Sequence, residues 1–318
     1  MNTRGRAGIP NWVPTPSRLA GLAWSAKVAL AVGGLPKIAL YFSGGLGDHI
    51  MCSAVARELK RRGTKTVWQL TPFAEVFAGN SDVVAVPADF RLRRLCALFS
   101  IPCVDLEYRT PPLKHLIAEM CDKVGIRGVV DLCPRVMLTD EERSSGKVVP
   151  RSQIAIQTSS LAARYPMRNK QWPHERFQLV VDVLKREFDV VQLGDGSDPE
   201  LRGVLDLRGK TTVRQSAAIL SQSRVFIGLA TGVMHLARAV ECRSVIVYGG
   251  RERPSQTGYS ANENLHWNGP CAPCWLRNDC DFDRRCMNEI LPEHVIAASR
   301  RQVALFGRPL VVDQAEIS

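Results

Sequence analysis

Several features that would settle the function of this 318-residue sequence at once are missing from it. The apolar stretch at residues 19–34 is interrupted by Lys27 and is too short for a comfortable membrane span. The N-terminus lacks the layout of a secretory signal. The first glycine-rich turn, residues 43–48, neither completes G-x-G-x-x-G nor leads into Gly-Lys-Ser/Thr, which excludes a dinucleotide fingerprint and a P-loop there. These absences predict a cytoplasmic protein.

Acidic residues are scarce enough to leave a formal net charge of +11. Such a charge attracts anionic partners in general, among them nucleic acids, phosphorylated glycolipids, membrane surfaces and nucleotide-sugars. The basic residues are spread along the chain, however, and aromatic residues make up only 7% of it. Because no basic block is interleaved with aromatic side chains that could stack on bases, we predict no nucleic-acid partner.

The first 36 residues form a separate N-terminal segment that contains no acid. Two interpretations remain open for this basic, partly flexible segment. It either rests as an amphipathic element on the anionic inner face of the cytoplasmic membrane, or it is a frayed arm that packs on the following domain. Its basic residues, together with the next lysine, are Arg4, Arg6, Arg18, Lys27 and Lys37.

Ten cysteines without an export signal indicate thiols or metal ligands rather than disulfides. Six of them occur singly, mostly in apolar runs, and are predicted to act as small core residues. These six are Cys52, Cys96, Cys103, Cys121, Cys133 and Cys242.

Strand-like and helix-like patterns alternate along the chain and predict an α/β fold with parallel sheets. The alternation breaks at the charged stretch 140–153, which is the candidate linker, and then begins again. We therefore predict an N-terminal domain over residues 37–148, a C-terminal domain over residues 149–306 and a tail over residues 307–318.

The first turn, Ser43-Gly-Gly-Leu-Gly-Asp48-His49, follows an apolar strand and opens a helix. Gly44, Gly45 and Gly47 let the backbone approach a ligand closely. Asp48 stands where an open α/β sheet faces its ligand, so it is a candidate general base. The alternative is that Asp48 caps the helix.

A second motif, Lys170-Gln-Trp172-Pro173, supplies a lysine that can neutralise a departing diphosphate, unless it is simply a solvated loop residue. A third is the turn at residues 230–235, where the apolar strand predicted at residues 225–229 leads into a helix. There Thr231 and the N–H groups of Gly232 and Val233 can hold phosphate oxygens. His235 either reaches the same ligand or is a core histidine.

Four clustered cysteines, spaced C-x2-C-x5-C-x5-C within the loop 271–287, form the fourth motif. They suit a tetrahedral sulfur site for structural zinc or iron, although the spacing is not that of a zinc finger. Free thiols or a labile disulfide are the alternatives. The residues are Cys271, Cys274, Cys280 and Cys286.

Taken in this order, the motifs resemble glycosyltransferase family 9, the heptosyltransferases of lipopolysaccharide synthesis. The resemblance extends from about Lys37 to Val303 and also includes Asp206-Leu-Arg-Gly-Lys210-Thr-Thr. It implies two facing Rossmann-like domains, the GT-B arrangement, with the acceptor bound by the N-terminal domain and the nucleotide-sugar by the C-terminal domain.

The resemblance also implies an inverting transfer, without a cofactor for catalysis, from an ADP-activated heptose to a lipopolysaccharide core or another lipid-linked, cell-surface glycan. Asp48 would then be the base, and Lys170 and Thr231 would stabilise the diphosphate. The sequence departs from the family pattern at Ala230, where the family has Asp. Either the donor sugar differs, or another group, such as Glu252, compensates.

Two other functions remain open at this stage. One is a protein O-heptosyltransferase of the kind that modifies autotransporters, which the cysteine cluster favours. The other is a nucleotide-sugar-binding protein without activity, which Ala230 favours and the presence of Asp48 and Lys170 opposes.

Overall fold

The structure, a computed structural model, describes residues 16–317, with the side chains of residues 16–19 left out. Two separate parallel sheets form its framework, with strand orders β3-β2-β1-β4 and β11-β10-β9-β6-β7-β8. Every strand pair within these two sheets is parallel, as the alternating pattern predicted. The carboxyl ends of the strands in each sheet therefore lie at one edge, where turns can carry functional groups.

The N-terminal domain is built on the four-stranded sheet. Its strands are β1 (Ile38–Tyr41), β2 (Val67–Thr71), β3 (Val84–Pro87) and β4 (Cys103–Asp105), and β5 (Gly128–Asp131) lies outside that sheet. Its helices are α1 (Pro16–Ala31), α2 (Leu46–Arg61), α3 (Phe90–Leu98), α4 (Leu116–Lys123) and α5 (Asp140–Ser145).

The C-terminal domain is built on the six-stranded sheet. Its strands are β6 (Gln153–Ile156), β7 (Asp189–Gln192), β8 (Leu205–Asp206), β9 (Phe226–Leu229), β10 (Ser244–Gly249) and β11 (Glu263–His266). Its helices are α6 (His174–Leu184), α7 (Val213–Ser221), α8 (Gly232–Ala239), α9 (Pro254–Thr257), α10 (Arg285–Asn288) and α11 (Pro292–Ala304).

One hydrophobic core runs through both domains. Apolar side chains of α2 and α4 on one side and of α7, α8 and β10 on the other belong to the same buried cluster, which includes Ile50, Ile117, Leu220, Met234 and Ile246. Burial of large apolar side chains is the main favourable term in folding. The two domains are therefore joined by a shared core as well as by the chain between them.

The stretch predicted as a linker contains helix α5. Thr139 accepts a hydrogen bond from Glu142 N while the Glu142 carboxylate accepts one from Thr139 N, which is a capping box. Glu142 also pairs with Arg214 of the C-terminal domain. The capping signal lies inside a charged stretch without apolar periodicity, and the linker prediction overlooked it.

The two ends of the described chain both pack on the N-terminal domain. Strand β12 (Gln314–Ile317), within the predicted tail, pairs antiparallel with β5. Helix α1 packs on the outer face of the N-terminal sheet, where Ala29 is buried among residues of β1, β2 and α3. Arg4 and Arg6 of the predicted basic segment lie outside the described residues. No helix among residues 16–317 is long and apolar enough to span a bilayer.

The single cysteines behave as predicted. Five of the six are buried, and Cys103 is half-buried. Burial raises the pKa of these thiols, for instance that of Cys96 to about 11, so they remain protonated in the core.

Candidate functional site

The amino ends of α2 and α8 meet at a pair of glycines. A Cβ atom on Gly47 would lie 3.0 Å from the Gly232 Cα atom and 2.8 Å from His235 Cδ2. A Cβ atom on Gly232 would lie 3.1 Å from the Gly47 nitrogen. Only glycine fits this contact without movement of the backbone, so the two predicted turns, one from each domain, form one site.

Gly44, in the same turn, is required by the position of the Asp48 side chain. A Cβ atom at this position would lie 2.2 Å from the Asp48 carboxylate, closer than any side chain tolerates. The absence of a side chain at residue 44 therefore makes room for Asp48. Gly45 occupies the cap position of α2 with an extended backbone, which other residues can adopt.

Asp48 lies in the first turn of α2, and both of its oxygens are engaged. Oδ2 accepts a hydrogen bond from Gly45 N at 2.8 Å, and Oδ1 accepts one from the Tyr108 hydroxyl at 2.8 Å. Asp48 thus caps the helix and also faces the junction of the two turns. Burial raises its pKa, while Tyr108, Gly45 and the charge of Lys170 oppose the rise. A carboxylate with a raised pKa is a stronger base.

Tyr108 is a site residue that the sequence did not reveal. Its ring packs on Phe42, with 5.4 Å between centroids, which directs the hydroxyl to Asp48. Burial and the neighbouring Asp48 raise its pKa far above the ordinary value, so the hydroxyl keeps its proton and donates a hydrogen bond to Asp48. Tyr108 belongs to an irregular segment with no recognisable pattern, and no local signal could have identified it.

The lysine of the second motif is held by its neighbours in the sequence. Trp172 is buried, and its indole donates to the Ile290 carbonyl at 2.9 Å. Asn169 donates to the Asp279 carbonyl at 2.8 Å, which ties this loop to the cysteine-rich segment. Lys170 itself donates to the Ala230 carbonyl at 2.8 Å and pairs with Glu252. It is a largely buried cation, not a solvated loop residue.

The amino end of α8 is left open to an anion. Thr231 occupies the cap position, but its hydroxyl donates to Gln157 at 2.8 Å and makes no capping bond. The first N–H groups of a helix have no partner within the helix, and those of Gly232 and Val233 belong to that set. With Lys170 bonded to the carbonyl just before them, these donors lie together in an arrangement that can bind an anion.

The two histidines predicted for the site are buried and neutral. His235 shares a hydrogen bond of 2.6 Å with the Tyr259 hydroxyl, and burial lowers its pKa to about 3. His49 packs edge-on against Phe73, and burial lowers its pKa to about 4. Neither ring carries charge near neutral pH. This geometry favours the core interpretation of His235, which supplies no positive charge to a diphosphate.

The four clustered cysteines lie in the segment that supports Lys170. All four are half-buried and reduced. Burial raises the pKa of Cys286, and the neighbouring Cys274, Cys280 and Cys271 raise it further, so the thiols are close enough to influence one another. Within residues 16–317, however, no three His, Cys, Asp or Glu side chains are placed to hold a metal ion. As placed, the four thiols do not form a metal site, and a zinc or iron ion bound by them stays a prediction of the sequence.

The sequence of the chain has relatives among the heptosyltransferases. Residues 135–282 match the profile of glycosyltransferase family 9 (heptosyltransferase). Lipopolysaccharide heptosyltransferase 3 of Escherichia coli K12 is 25% identical over 145 residues, 42% of this chain and 42% of that protein. Lipooligosaccharide heptosyltransferase 2 of Campylobacter jejuni is 26% identical over 148 residues, 41% of this chain and 46% of that protein. The matches thus span less than half of either relative.

Solved structures share the fold over most of the chain. The E. coli ADP-heptose lipopolysaccharide heptosyltransferase II superimposes with a TM-score of 0.65 at 14% identity, over 84% of this chain and 98% of that one. The iron-containing dodecameric glycosyltransferase TibC of enterotoxigenic E. coli gives a TM-score of 0.66 at 17% identity, over 85% of this chain and 76% of that one. These similarities confirm the predicted GT-B arrangement of two Rossmann-like domains.

The glycine contact gives a first prediction. Gly47→Ala places a methyl group against the backbone of Gly232, and we expect the free energy of unfolding to fall by about 1–3 kcal/mol. Gly45→Ala is the control, because its Cβ atom would meet only Asp48 Oδ2 at 4.0 Å. Urea unfolding measures both variants. Equal losses for the two would contradict the close contact between the turns.

Tyr108 gives a second prediction. Tyr108→Phe removes a hydrogen bond to the Asp48 carboxylate, and we expect the pKa of Asp48 to rise by about one pH unit. As the pH is lowered, Asp48 of the variant would then become protonated at a higher pH than Asp48 of the unaltered protein. Carboxyl 13C NMR titration, with Asp48→Asn for assignment, measures the shift. Tyr41→Phe is the control and should leave Asp48 unchanged; an unchanged pKa in Tyr108→Phe refutes the role of the hydroxyl.

Proposed function

We propose that this chain, whose residues 135–282 match glycosyltransferase family 9, is a member of that family and transfers a heptose or related sugar from an ADP-activated donor to a glycan acceptor. The observation that carries the proposal is the pairing of a base and an anion site across one junction. Asp48 comes from the N-terminal domain, whereas Lys170 and the open end of α8 come from the C-terminal domain.

The chemistry follows from the charges of these groups. Asp48 takes the proton from an acceptor hydroxyl as the hydroxyl oxygen attacks the anomeric carbon. The bond from that carbon to the diphosphate breaks, with an oxocarbenium-like transition state, as in glycoside chemistry generally. Lys170 and the N–H groups of Gly232 and Val233 stabilise the departing ADP. Attack from the face opposite the leaving group inverts the anomeric centre.

We propose that the reaction needs no metal for catalysis. The positive charge that a leaving diphosphate requires comes from the Lys170 ammonium group and the amino end of α8. Lys170 is fixed by the Ala230 carbonyl and Glu252 before any ligand binds, which limits the reorganisation needed in the transition state.

For the acceptor we propose a lipid-linked glycan, such as a lipopolysaccharide core, at the inner face of the cytoplasmic membrane. Helix α3 supports this choice. Its exposed face carries Phe90, which is 59% exposed, and Leu98, which is 60% exposed, with Arg93 and Arg94 beside them. Neither α3 nor α1 contains an acidic residue, and basic residues beside apolar ones favour an anionic bilayer.

The position of α3 relative to the base also supports a lipid-linked acceptor. Arg93 stacks on the ring of Tyr41, with its guanidinium carbon 4.1 Å from the centroid. Tyr41 ends β1, directly before the turn that carries Asp48. A membrane under α3 would therefore hold an acceptor lipid near the N-terminal side of the junction.

A protein acceptor is the second candidate. The four-cysteine segment beside Lys170 and the similarity in fold to the iron-containing glycosyltransferase TibC favour it. An acceptor comparison between lipopolysaccharide and protein separates the two. A nucleotide-sugar-binding protein without activity, the third possibility, would bind a donor and release no nucleotide.

Donor turnover tests the proposed function. We expect nucleotide release from ADP-heptose, among ADP-, GDP- and UDP-sugars, when crude lipopolysaccharide is present. Asp48→Asn should lower kcat by about 10²–10⁴-fold, because the general base is lost, with little change in donor affinity. Asp140→Asn, at an exposed aspartate in the first turn of α5, is the matched control.

Three outcomes of this assay have distinct meanings. Full activity in Asp48→Asn would contradict the mechanism. Turnover of another donor alone would keep the mechanism and assign Ala230 to a changed sugar specificity. Donor binding without turnover of any sugar, with both lipopolysaccharide and protein acceptors, would favour the inactive binding protein.

Vesicle binding tests the membrane-facing role of α3. We expect the protein to sediment with phosphatidylglycerol vesicles but not with phosphatidylcholine vesicles. The double variant Phe90→Ser, Leu98→Ser should bind at least about tenfold more weakly, because two apolar side chains no longer enter the bilayer. Leu179→Ser is the control, since Leu179 of α6 is 54% exposed on the other domain. Equal losses in both variants, or no sedimentation of the unaltered protein, would contradict this role.

A further inference from the structure

A buried carboxylate lies between two cations beside the proposed anion site. Glu252, in the loop after β10, has a side chain only 3% exposed, and that of Lys170 is 14% exposed. Glu252 Oε1 lies 2.5 Å from Lys170 Nζ, and Oε2 lies 3.0 Å from Arg251 Nη1. A charge is buried at this depth only when it is well paired, and each oxygen of this carboxylate has its own cation.

The cysteine-rich segment fixes the far end of this network. Arg251 Nε donates to the Leu276 carbonyl at 3.0 Å, and the guanidinium lies 4.9 Å from the centroid of the Trp275 ring. Trp275 directly follows Cys274 in the sequence, and Leu276 comes next. The orientation of Arg251, and through it that of Glu252, is therefore set by the protein before a ligand arrives.

Lys170 is held from a second direction at the other end of the network. Its ammonium group donates to the Ala230 carbonyl at 2.8 Å, two residues before Gly232 at the amino end of α8. An ammonium group has three N–H donors. The Ala230 carbonyl engages one of them, and the Glu252 carboxylate lies close enough to pair with the charge of the group. At least one N–H donor therefore remains for a ligand at the end of the helix.

Several charged groups act on Lys170. Burial lowers its pKa, and the neighbouring cation Arg251 lowers it further, whereas Glu252 and Asp48 raise it. Two further titratable groups lie near this network: His235 is buried and neutral, and the half-buried Tyr108 hydroxyl keeps its proton. Glu252 is the carboxylate in direct contact with the ammonium group. Without it, burial and Arg251 would both disfavour the charged form of Lys170, and Asp48 would be the remaining anion that favours it.

We propose that Glu252 is a positioning residue, which holds Lys170 charged and against the Ala230 carbonyl so that one N–H bond points to a bound diphosphate. Glu252 touches neither donor nor acceptor in this account; it acts through Lys170. The inference rests on the proposed function only in taking the ligand to be the diphosphate of a nucleotide-sugar.

Titration of Lys170 tests the pairing without any need for activity. The protein is produced with 13C-labelled lysine, which leaves the ammonium group unmodified, and the Lys170 Cε signal is assigned by its loss in Lys170→Arg. We expect Glu252→Gln to lower the pKa of Lys170 by about 1–3 pH units, because an opposite charge is lost. Glu263→Gln, which removes the partner of Arg301 on the surface of the same domain, is the control.

A second variant tests the same network in the opposite direction. Arg251→Gln removes a cation that lowers the pKa of Lys170, so that pKa should rise. This variant also keeps the test decisive if Glu252→Gln does not fold. An unchanged Lys170 pKa in the folded variants overturns the proposal.

ADP affinity, measured by calorimetry between pH 6 and pH 10, tests the consequence for binding. ADP should bind the protonated lysine, so affinity should fall as the pH rises through the pKa of Lys170. In Glu252→Gln this fall should begin at least about one pH unit lower, whereas Glu252→Asp, which keeps the charge, should shift it less. A pH-independent loss of affinity in Glu252→Gln would indicate a merely structural role and overturn the proposal.

The proposed function and the positioning role of Glu252 can be refuted independently of each other. If the unaltered protein binds no ADP, the proposed donor site is wrong, while the Lys170 titration still decides whether Glu252 sets its charge. If ADP binds and the Lys170 pKa does not respond to Glu252→Gln, the proposed function stands and the role of Glu252 falls.

Discussion

The contact between Gly47 and Gly232 is the constraint on which the site depends. With no side chain at either residue, the amino ends of α2 and α8 approach until their backbones nearly touch. This brings Asp48, in the first turn of α2, near the charge of Lys170 and the open N–H groups of α8. The shared core of the two domains fixes this approach, so the proposed base and the proposed anion site, which belong to separate sheets, lie at one junction.

The electrostatic balance of the site follows from that proximity. Burial weakens the preference of both Asp48 and Lys170 for the charged form, and each group opposes this effect in the other. Tyr108 stabilises the charged form of Asp48 from the N-terminal side, and Glu252 stabilises that of Lys170 from the C-terminal side. Each charged group therefore has a supporting residue on its own domain, and the supporting residues are remote in sequence from the motifs.

The fold could be predicted from the sequence, and the motif residues could be proposed from it, because their signals are local. Asp48, Lys170 and Gly232 each follow an apolar strand within a few residues of a helix start, a pattern that one stretch of chain reveals. Tyr108 lies sixty positions from Asp48 in an irregular segment, and its contact arises only from the tertiary fold. The same holds for β12, whose partner strand β5 is distant in sequence, and for His235, whose buried bond to Tyr259 no spacing indicates.

A crystal structure of the protein with ADP would test the central claim most directly, because the account assigns the diphosphate to one place. It predicts the diphosphate at the amino end of α8, within hydrogen-bond distance of Gly232 N and Lys170 Nζ, with Asp48 across the junction. A diphosphate bound elsewhere, for example in the polar cavity of about 490 Å³ lined by Arg253 and His266, would contradict it.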